Sequence, residues 1–375
     1  MKIEQILHRA YDANVALHFI GDPGIGKTAA IEAFAEQIGV PLIVIIGSTR
    51  EPADITGLPY IDPETKQVHY SPDPAIRALM ECENGILFLD ELTNSPASVM
   101  AALLRLVLER RVGTFTLPPG IRIFAASNPV HQAADGNDLP LPMRSRFTHI
   151  KFPFSVDEWL TEFPRNWNRP LVPEKYGLNI PAETLRFARS LVVSFLDAKR
   201  ELVLDVPEST DSKMGYPCPR TWDFVSRYVA VCLHEQADPA EAGELYIGTV
   251  GEGAGLEFTH WVRNFDLPHP MDVLASPDTY PLPKQLDKLY TLLSAIASIA
   301  QDDHKLWQDA WKVMARVATE MNRADVAARA AVMLARAPKA ANHEWLAPAE
   351  AALFIPLLRQ AGQVPKPTEQ NAQQA

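Results

Sequence analysis

Two hydrophobic rhythms divide this chain. Up to about residue 152, largely apolar runs at 15–20, 85–89 and 121–126 alternate with stretches of helical spacing at 28–38 and 96–109. Such runs suit strands buried on both faces. Their alternation with helices predicts an α/β fold, a doubly wound parallel sheet with helices on both sides. In such a sheet, ligand sits at the C-terminal ends of the strands. Two shorter patterns read as β-hairpins. One joins 57–61 to 67–70 about the turn Asp62 to Lys66, with Leu58, Tyr60, Val68 and Tyr70 expected on one face; the other runs from Arg111 to Leu117 and closes on Pro118-Pro119-Gly120.

After Phe152-Pro153 the strand pattern gives way to helical spacing at 156–162, 182–201 and 220–236, where Leu191, Val192, Phe195 and Leu196 form a core stripe. The four glycines between Gly248 and Gly255 could imitate a nucleotide loop. No strand precedes them and no lysine follows, so they predict a tight helix–helix junction. A proline-rich boundary near 266–270 precedes helical segments at 284–300, 303–321 and 323–337, with Trp307, Trp311 and Met314 at core spacing. Residues 363–375 carry no apolar cluster after Val364 and are expected to be disordered. The expected divisions are therefore 1–152, 153–265, 266–362 and a tail at 363–375.

The most specific chemistry lies at Gly21-Asp22-Pro23-Gly24-Ile25-Gly26-Lys27-Thr28, a G-x-x-x-x-G-K-T loop between an apolar run and a helix. Glycines let backbone N–H groups close around phosphate oxygens, Lys27 can reach the β- and γ-phosphates, and the Thr28 hydroxyl can hold Mg²⁺. The positive end of the following helix faces the same anion. These residues predict binding of a nucleoside triphosphate and leave its base open. The run 85–89 then ends in Asp90-Glu91. Asp90 is suited to hold Mg²⁺ and Glu91 to activate water, although acidic residues also open helices as caps. The run at 121–127 delivers Asn128, whose amide can sense a γ-phosphate. Arg144, Arg146 and Arg220 offer planar guanidinium groups suited to charge developing on phosphate, or are ordinary surface charges.

The order of these elements resembles the AAA+ ATPases, and the two hairpins make it most similar to the MoxR type, the helix-2-insert branch of the dynein-related AAA subfamily. The resemblance covers about residues 1–265. It implies an AAA+ P-loop core at 1–152, an α-helical lid at 153–265 and an all-α C-terminal region at 266–362. It also implies that Asn128 is sensor 1, Arg146 an arginine finger acting on a neighbouring subunit, and Arg220 sensor 2; Arg144 is the alternative finger. The activity implied is Mg²⁺-dependent ATP hydrolysis at subunit interfaces of a ring, a hexamer by analogy, that remodels a protein client. In this family the client often carries a von Willebrand factor A domain. A nucleotide-dependent scaffold without turnover and a nucleic-acid motor are the alternatives.

Composition narrows these choices. The 375 residues suffice for two or three domains, and 47% are hydrophobic. No apolar run approaches the ~20 residues that span a bilayer, and the first ten residues lack a secretory pattern, so a cytoplasmic protein without membrane insertion is expected. A net charge of −11 disfavours a generic nucleic-acid partner, which needs clustered cations. Cys82, Cys218 and Cys232 share no C-x-x-C spacing and predict no disulfide frame. Cys232 and His234 do not share a helix face.

Overall fold

Four largely apolar strands and a more polar one at the edge build the central sheet of the protein, seen here in a computed structural model that describes residues 3–71, 73–112, 115–129, 139–207, 215–264, 267–336 and 348–360. The chain divides into two compact units, Met1–Phe154 and Ser155–Ala375. In the first, the elements run α1 (Ile3–Asp12), β1 (Ala16–Ile20), α2 (Lys27–Ile38), β2 (Leu42–Ile46), α3 (Pro52–Thr56), β3 (Leu58–Ile61), β4 (Val68–Ser71), α4 (Pro74–Met80) and β5 (Asn84–Asp90). Then follow α5 (Ala97–Glu109), β6 (Arg111–Val112), β7 (Phe115–Thr116), β8 (Gly120–Ser127), α6 (Leu141–Arg144) and β9 (Phe147–Lys151).

The sheet order is β2-β5-β8-β1-β9, and every neighbouring pair is parallel. Parallel strands require crossovers, which α2, α4 and α5 help supply. In β5, Ile86, Leu87 and Phe88 are fully buried, as expected for a strand covered on both faces. On one side, Leu87, Leu89, Ile121 and Ile123 join Val99, Leu103 and Leu106 of α5 in a single core. Phe34 of α2 and Phe124 of β8 meet elsewhere in the core with ring centroids 6.5 Å apart. The register pairs Ile20 with Ser127 and Ile46 with Asp90, so β1, β2, β5 and β8 end along one edge of the sheet.

Both expected hairpins form, with β3 antiparallel to β4 and β6 antiparallel to β7; Gly113 and Thr114 of the second lie outside the described residues. The side-chain grouping on the first hairpin needs correction. Tyr60 pairs with His69 and Ile61 with Val68. Because directly opposed residues share a face, Leu58 and Tyr60 lie with His69, while Val68 and Tyr70 lie with Pro59 and Ile61. A one-residue offset in pairing exchanges the faces, and the intervening turn, not the strand pattern, sets that offset. Leu58, Tyr60, Ile61 and Val68 are all exposed by half or more of their surface.

The second unit contains α7 (Val156–Glu162), α8 (Ala182–Ala198), α9 (Pro219–His234), α10 (Gly243–Val250), α11 (Glu252–Arg263), α12 (Pro270–Ala275), α13 (Leu286–Ile299), α14 (His304–Thr319), α15 (Ala324–Ala335) and α16 (Ile355–Gln360). The predicted stripe on α8 and the Trp307, Trp311 and Met314 set on α14 are buried. Phe258 of α11 packs edge-on to Phe195, Trp222 and Tyr246. Gly251, at φ +83°, separates α10 from α11, and a Cβ at Gly255 would lie 2.5 Å from the Ile247 Cα; the glycine cluster is the close helix junction that its pattern predicts. Segments expected as 153–265 and 266–362 share this unit, with α13 packed against α8. The expected tail at 363–375 lies outside the described residues, as does Asp266 of the expected boundary.

Among the described residues the cysteines are free thiols, and no helix is long and apolar enough to cross a membrane.

Candidate functional site

The loop after β1 bends through Gly24 and Gly26, at φ +79° and +94°, a region costly for residues that carry a Cβ. Gly26 caps α2 without a side-chain partner for the helix N–H groups, which leaves those donors to whatever anion the loop encloses. Lys27, the first residue of α2, turns back into the loop. Its Nζ donates to Gly21 O at 2.7 Å, Asp22 O at 2.9 Å and Asn128 Oδ1 at 2.9 Å. The backbone N–H of Gly21 donates to Ser127 O at 3.2 Å, tying the loop to the end of β8.

Thr28 Oγ1 donates to Asp90 Oδ2 at 2.6 Å. Asp90 closes β5, and its other oxygen accepts from the Glu91 N–H at 2.9 Å. Glu91 has a left-handed backbone at φ +53°, unusual for a residue with a side chain. Such a conformation at a strand end turns the chain abruptly. The Glu91 carboxylate accepts a short hydrogen bond from Ser48 Oγ, just beyond β2. Glu32 on α2 faces solvent, yet its carboxyl lies above its ordinary value, first through desolvation and then through the Asp90 charge. Thus residues 21–28, Asp90, Glu91 and Asn128 occupy one edge of the sheet.

Arg144 and Arg146 do not join them in the same way. Arg146 immediately precedes Phe147, which pairs with Ala16 at the start of β1, whereas the loop follows Ile20 at its end. The length of β1, roughly 13 Å at ~3.3 Å per residue, separates the two edges. Arg146 is exposed and lines a small recess with Asn14, Ala16, Val107, Leu108, Arg110 and Ile123. Arg144, also exposed, donates from Nε to Leu139 O at 2.8 Å. Arg220 is exposed in the first turn of α9, in the second unit.

Residues 16–147 match the family described as the AAA domain of the dynein-related subfamily. This stretch is a dynein-related AAA domain. Chaperone MoxR1 of Mycobacterium tuberculosis is 30% identical over 133 residues, 34% of this chain and 33% of that protein. Protein MoxR of Methylorubrum extorquens is 29% identical over 131 residues, 34% of this chain and 37% of that protein. Midasin of Dictyostelium discoideum is 30% identical over 141 residues, 35% of this chain and 2% of that protein. The match therefore spans about a third of each MoxR protein and a small part of midasin. The AAA domain has an AAA+ P-loop fold with a parallel sheet, and the chain continues into a helical region.

Nothing in the sequence of this AAA domain marks Ser48 or the pair His18 and His149 as functional. Ser48 follows an apolar strand with nothing to mark it. His18 is buried on β1, with Nε2 2.8 Å from Ser127 Oγ and Nδ1 2.9 Å from His149 Nδ1. A single histidine in an apolar run suggests a satisfied core residue, and its partners are 109 and 131 positions away.

Proposed function

We propose that this chain is a MoxR-type AAA+ ATPase that hydrolyses ATP in sites shared between subunits of a ring and remodels a protein client. The observation that carries the reading is the meeting of Lys27 with Asn128, 101 positions apart, beside the Thr28–Asp90 pair. The start of α2 and the ends of β8 and β5 thereby bring a cation, an amide and a carboxylate to one loop. Lys27 can exchange its carbonyl and amide acceptors for phosphate oxygens without leaving the loop. Thr28 and Asp90 form a hard-oxygen donor set that fits Mg²⁺, which when bound would offset the charge on the phosphates. Asn128 is suited to orient the γ-phosphate, and Glu91 to take a proton from the attacking water once it leaves Ser48.

Sharing between subunits is supported by Arg146, which the strand register holds at the opposite edge from its own loop. A guanidinium there can serve a neighbour's phosphate far more readily than its own; Arg144 is the alternative. Arg220, by resemblance, would act as sensor 2 from a lid within residues 153–265. A hexameric ring, and a client with a von Willebrand factor A domain, follow from the same resemblance. The exposed β3–β4 hairpin supports a protein contact, and the name Chaperone MoxR1 accords with work on proteins.

Glu91→Gln should retain Mg²⁺-ATP while phosphate release falls by roughly two or more orders of magnitude; an unchanged rate would remove Glu91 from the mechanism. Lys27→Ala and Arg146→Ala proteins should each be inactive and regain activity when mixed, because one supplies the arginine and the other the pocket. A monomer hydrolysing ATP at full rate would exclude the shared site.

A further inference from the structure

Three hydrogen bonds between side chains and a terminal carbonyl cross the sheet of the AAA domain from β8 through β1 to the turn before β9. Ser127 Oγ lies 2.8 Å from His18 Nε2, His18 Nδ1 lies 2.9 Å from His149 Nδ1, and His149 Nε2 lies 2.9 Å from Arg144 O. The register explains the alignment, since His18 pairs with Ala125 on one side and with His149 on the other. Residues paired in this way project to the same face of the sheet, and Ser127 lies two residues beyond Ala125 on that face.

The last acceptor fixes the direction of the chain. A carbonyl can only accept, so His149 carries its proton on Nε2. A neutral His149 then presents a lone pair at Nδ1, to which His18 Nδ1–H donates. His18 Nε2 is thereby an acceptor, and the Ser127 hydroxyl donates to it. These tautomers are assigned from the hydrogen-bond network. His18 has no room for a second proton: burial first, and His149 second, lower its pKa from 6.5 to about 3.

The two ends of this chain touch different functions. Ser127 accepts the Gly21 N–H through its carbonyl and precedes Asn128, which holds Lys27. Arg144 ends α6, two residues before Arg146, and both belong to the turn that would face a neighbour. We propose that His18 and His149 are positioning residues: anchored to Ser127 through His18, His149 holds the arginine-bearing turn in place, so that the relay sets the arginine a subunit offers its neighbour. The proposal rests on the shared-site reading above. His149 orients the turn directly, and His18 holds both ends.

The test combines complementation with a spectroscopic reading of the tautomers. His149→Phe is placed either on the Lys27→Ala subunit, which supplies the arginine, or on the Arg146→Ala subunit, which supplies the pocket. On the arginine donor it should reduce the recovered hydrolysis by about fivefold or more; on the pocket donor the recovered rate should stay within about twofold. His149→Gln, whose amide can accept from His18 and donate to Arg144 O, should restore the donor-side loss. Long-range proton–nitrogen spectra of the full chain at pH 8 should show His18 protonated on Nδ1 and His149 on Nε2.

Equal losses from both placements, or no loss from either, in a parent pair that complements would overturn the relay and leave the shared site standing. His18 protonated on Nε2 would overturn it as well. If the parent pair fails to complement although each protein assembles, the shared-site reading falls and the positioning role falls with it.

Discussion

Two buried cations, Lys27 in the first unit and Arg189 in the second, are held in ways that suit opposite purposes. Lys27 Nζ rests on two backbone carbonyls and the Asn128 amide oxygen. These are neutral acceptors, and phosphate oxygens can replace them at small cost because hydrogen bonds to a charged partner are stronger. Arg189 lies on α8 with its Nη2 2.9 Å from Asp223 Oδ1, its Nη1 3.2 Å from Asn166 Oδ1, and its guanidinium 4.7 Å from the centre of the Phe163 ring. Arg227 shares the same carboxylate. A guanidinium clamped between a carboxylate and an aromatic face joins α7, α8 and α9 and is not available to an incoming anion. Burial alone therefore does not mark a functional cation.

The comparison is broken most directly by exchanging the two cations for neutral residues. Lys27→Ala should weaken ATP binding by at least a hundredfold while the folded fraction at room temperature is unchanged, as read by titration calorimetry and thermal melting. A variant that binds ATP normally would mean that the loop, not the lysine, carries recognition. Arg189→Leu should do the reverse, since it removes the hydrogen bonds to Asp223 and Asn166 and the contact with Phe163 while Arg227 keeps its hold on the carboxylate, a loss of about 1–3 kcal/mol of stability. Chemical denaturation reads this cost, and nucleotide affinity measured on the folded protein should stay within a few-fold; a coincident loss of affinity would make Arg189 part of the nucleotide site.

Smaller effects sharpen the same contrast. Ser48→Ala should release the Glu91 carboxylate and raise basal phosphate release by a few-fold. A fall instead would show that Ser48 aligns Glu91 for catalysis. The buried His18 acts on stability and only as the pH falls. Its value is 6.5 unfolded and about 3 folded, so the unfolded chain gains a proton that the native state refuses between those values. The contribution to stability is whole above pH 6.5 and is lost as pH falls toward 3. His18→Gln should flatten this acid branch by up to about 1.4 kcal/mol per pH unit, measured as the difference between denaturation curves at pH 7 and pH 5. Equal slopes would assign the acid sensitivity to other groups.

Much of the first unit is legible because its chemistry is local. The loop from Gly21 to Thr28 needs glycines at particular backbone angles and a lysine at a fixed offset, and both are consecutive in the chain. Asp90 and Asn128 are marked by the apolar runs that precede them. Ser48 is not, since a serine after a strand has many ordinary uses. The hairpin at Leu58–Ile61 shows the limit of periodicity: alternation was visible, but the pairing of Tyr60 with His69 was not. In the second unit the apolar stripe of Leu191, Val192, Phe195 and Leu196 was readable, whereas Arg186 and Arg189, buried on the same helix, look like solvent-facing residues until their partners are known.

The sequence by itself determined the alternation of strands and helices, the phosphate loop and the identity of the strand-end residues, because backbone sterics and side-chain period act over a few positions. Only the tertiary structure decided which strand ends meet, that Ser48 engages Glu91, that Arg146 stands a strand's length from its own loop, and that His18 joins Ser127 to His149. Those outcomes depend on the strand order β2-β5-β8-β1-β9. That order is set by how the helices cover both faces of the sheet, a requirement of the whole core that no local pattern encodes.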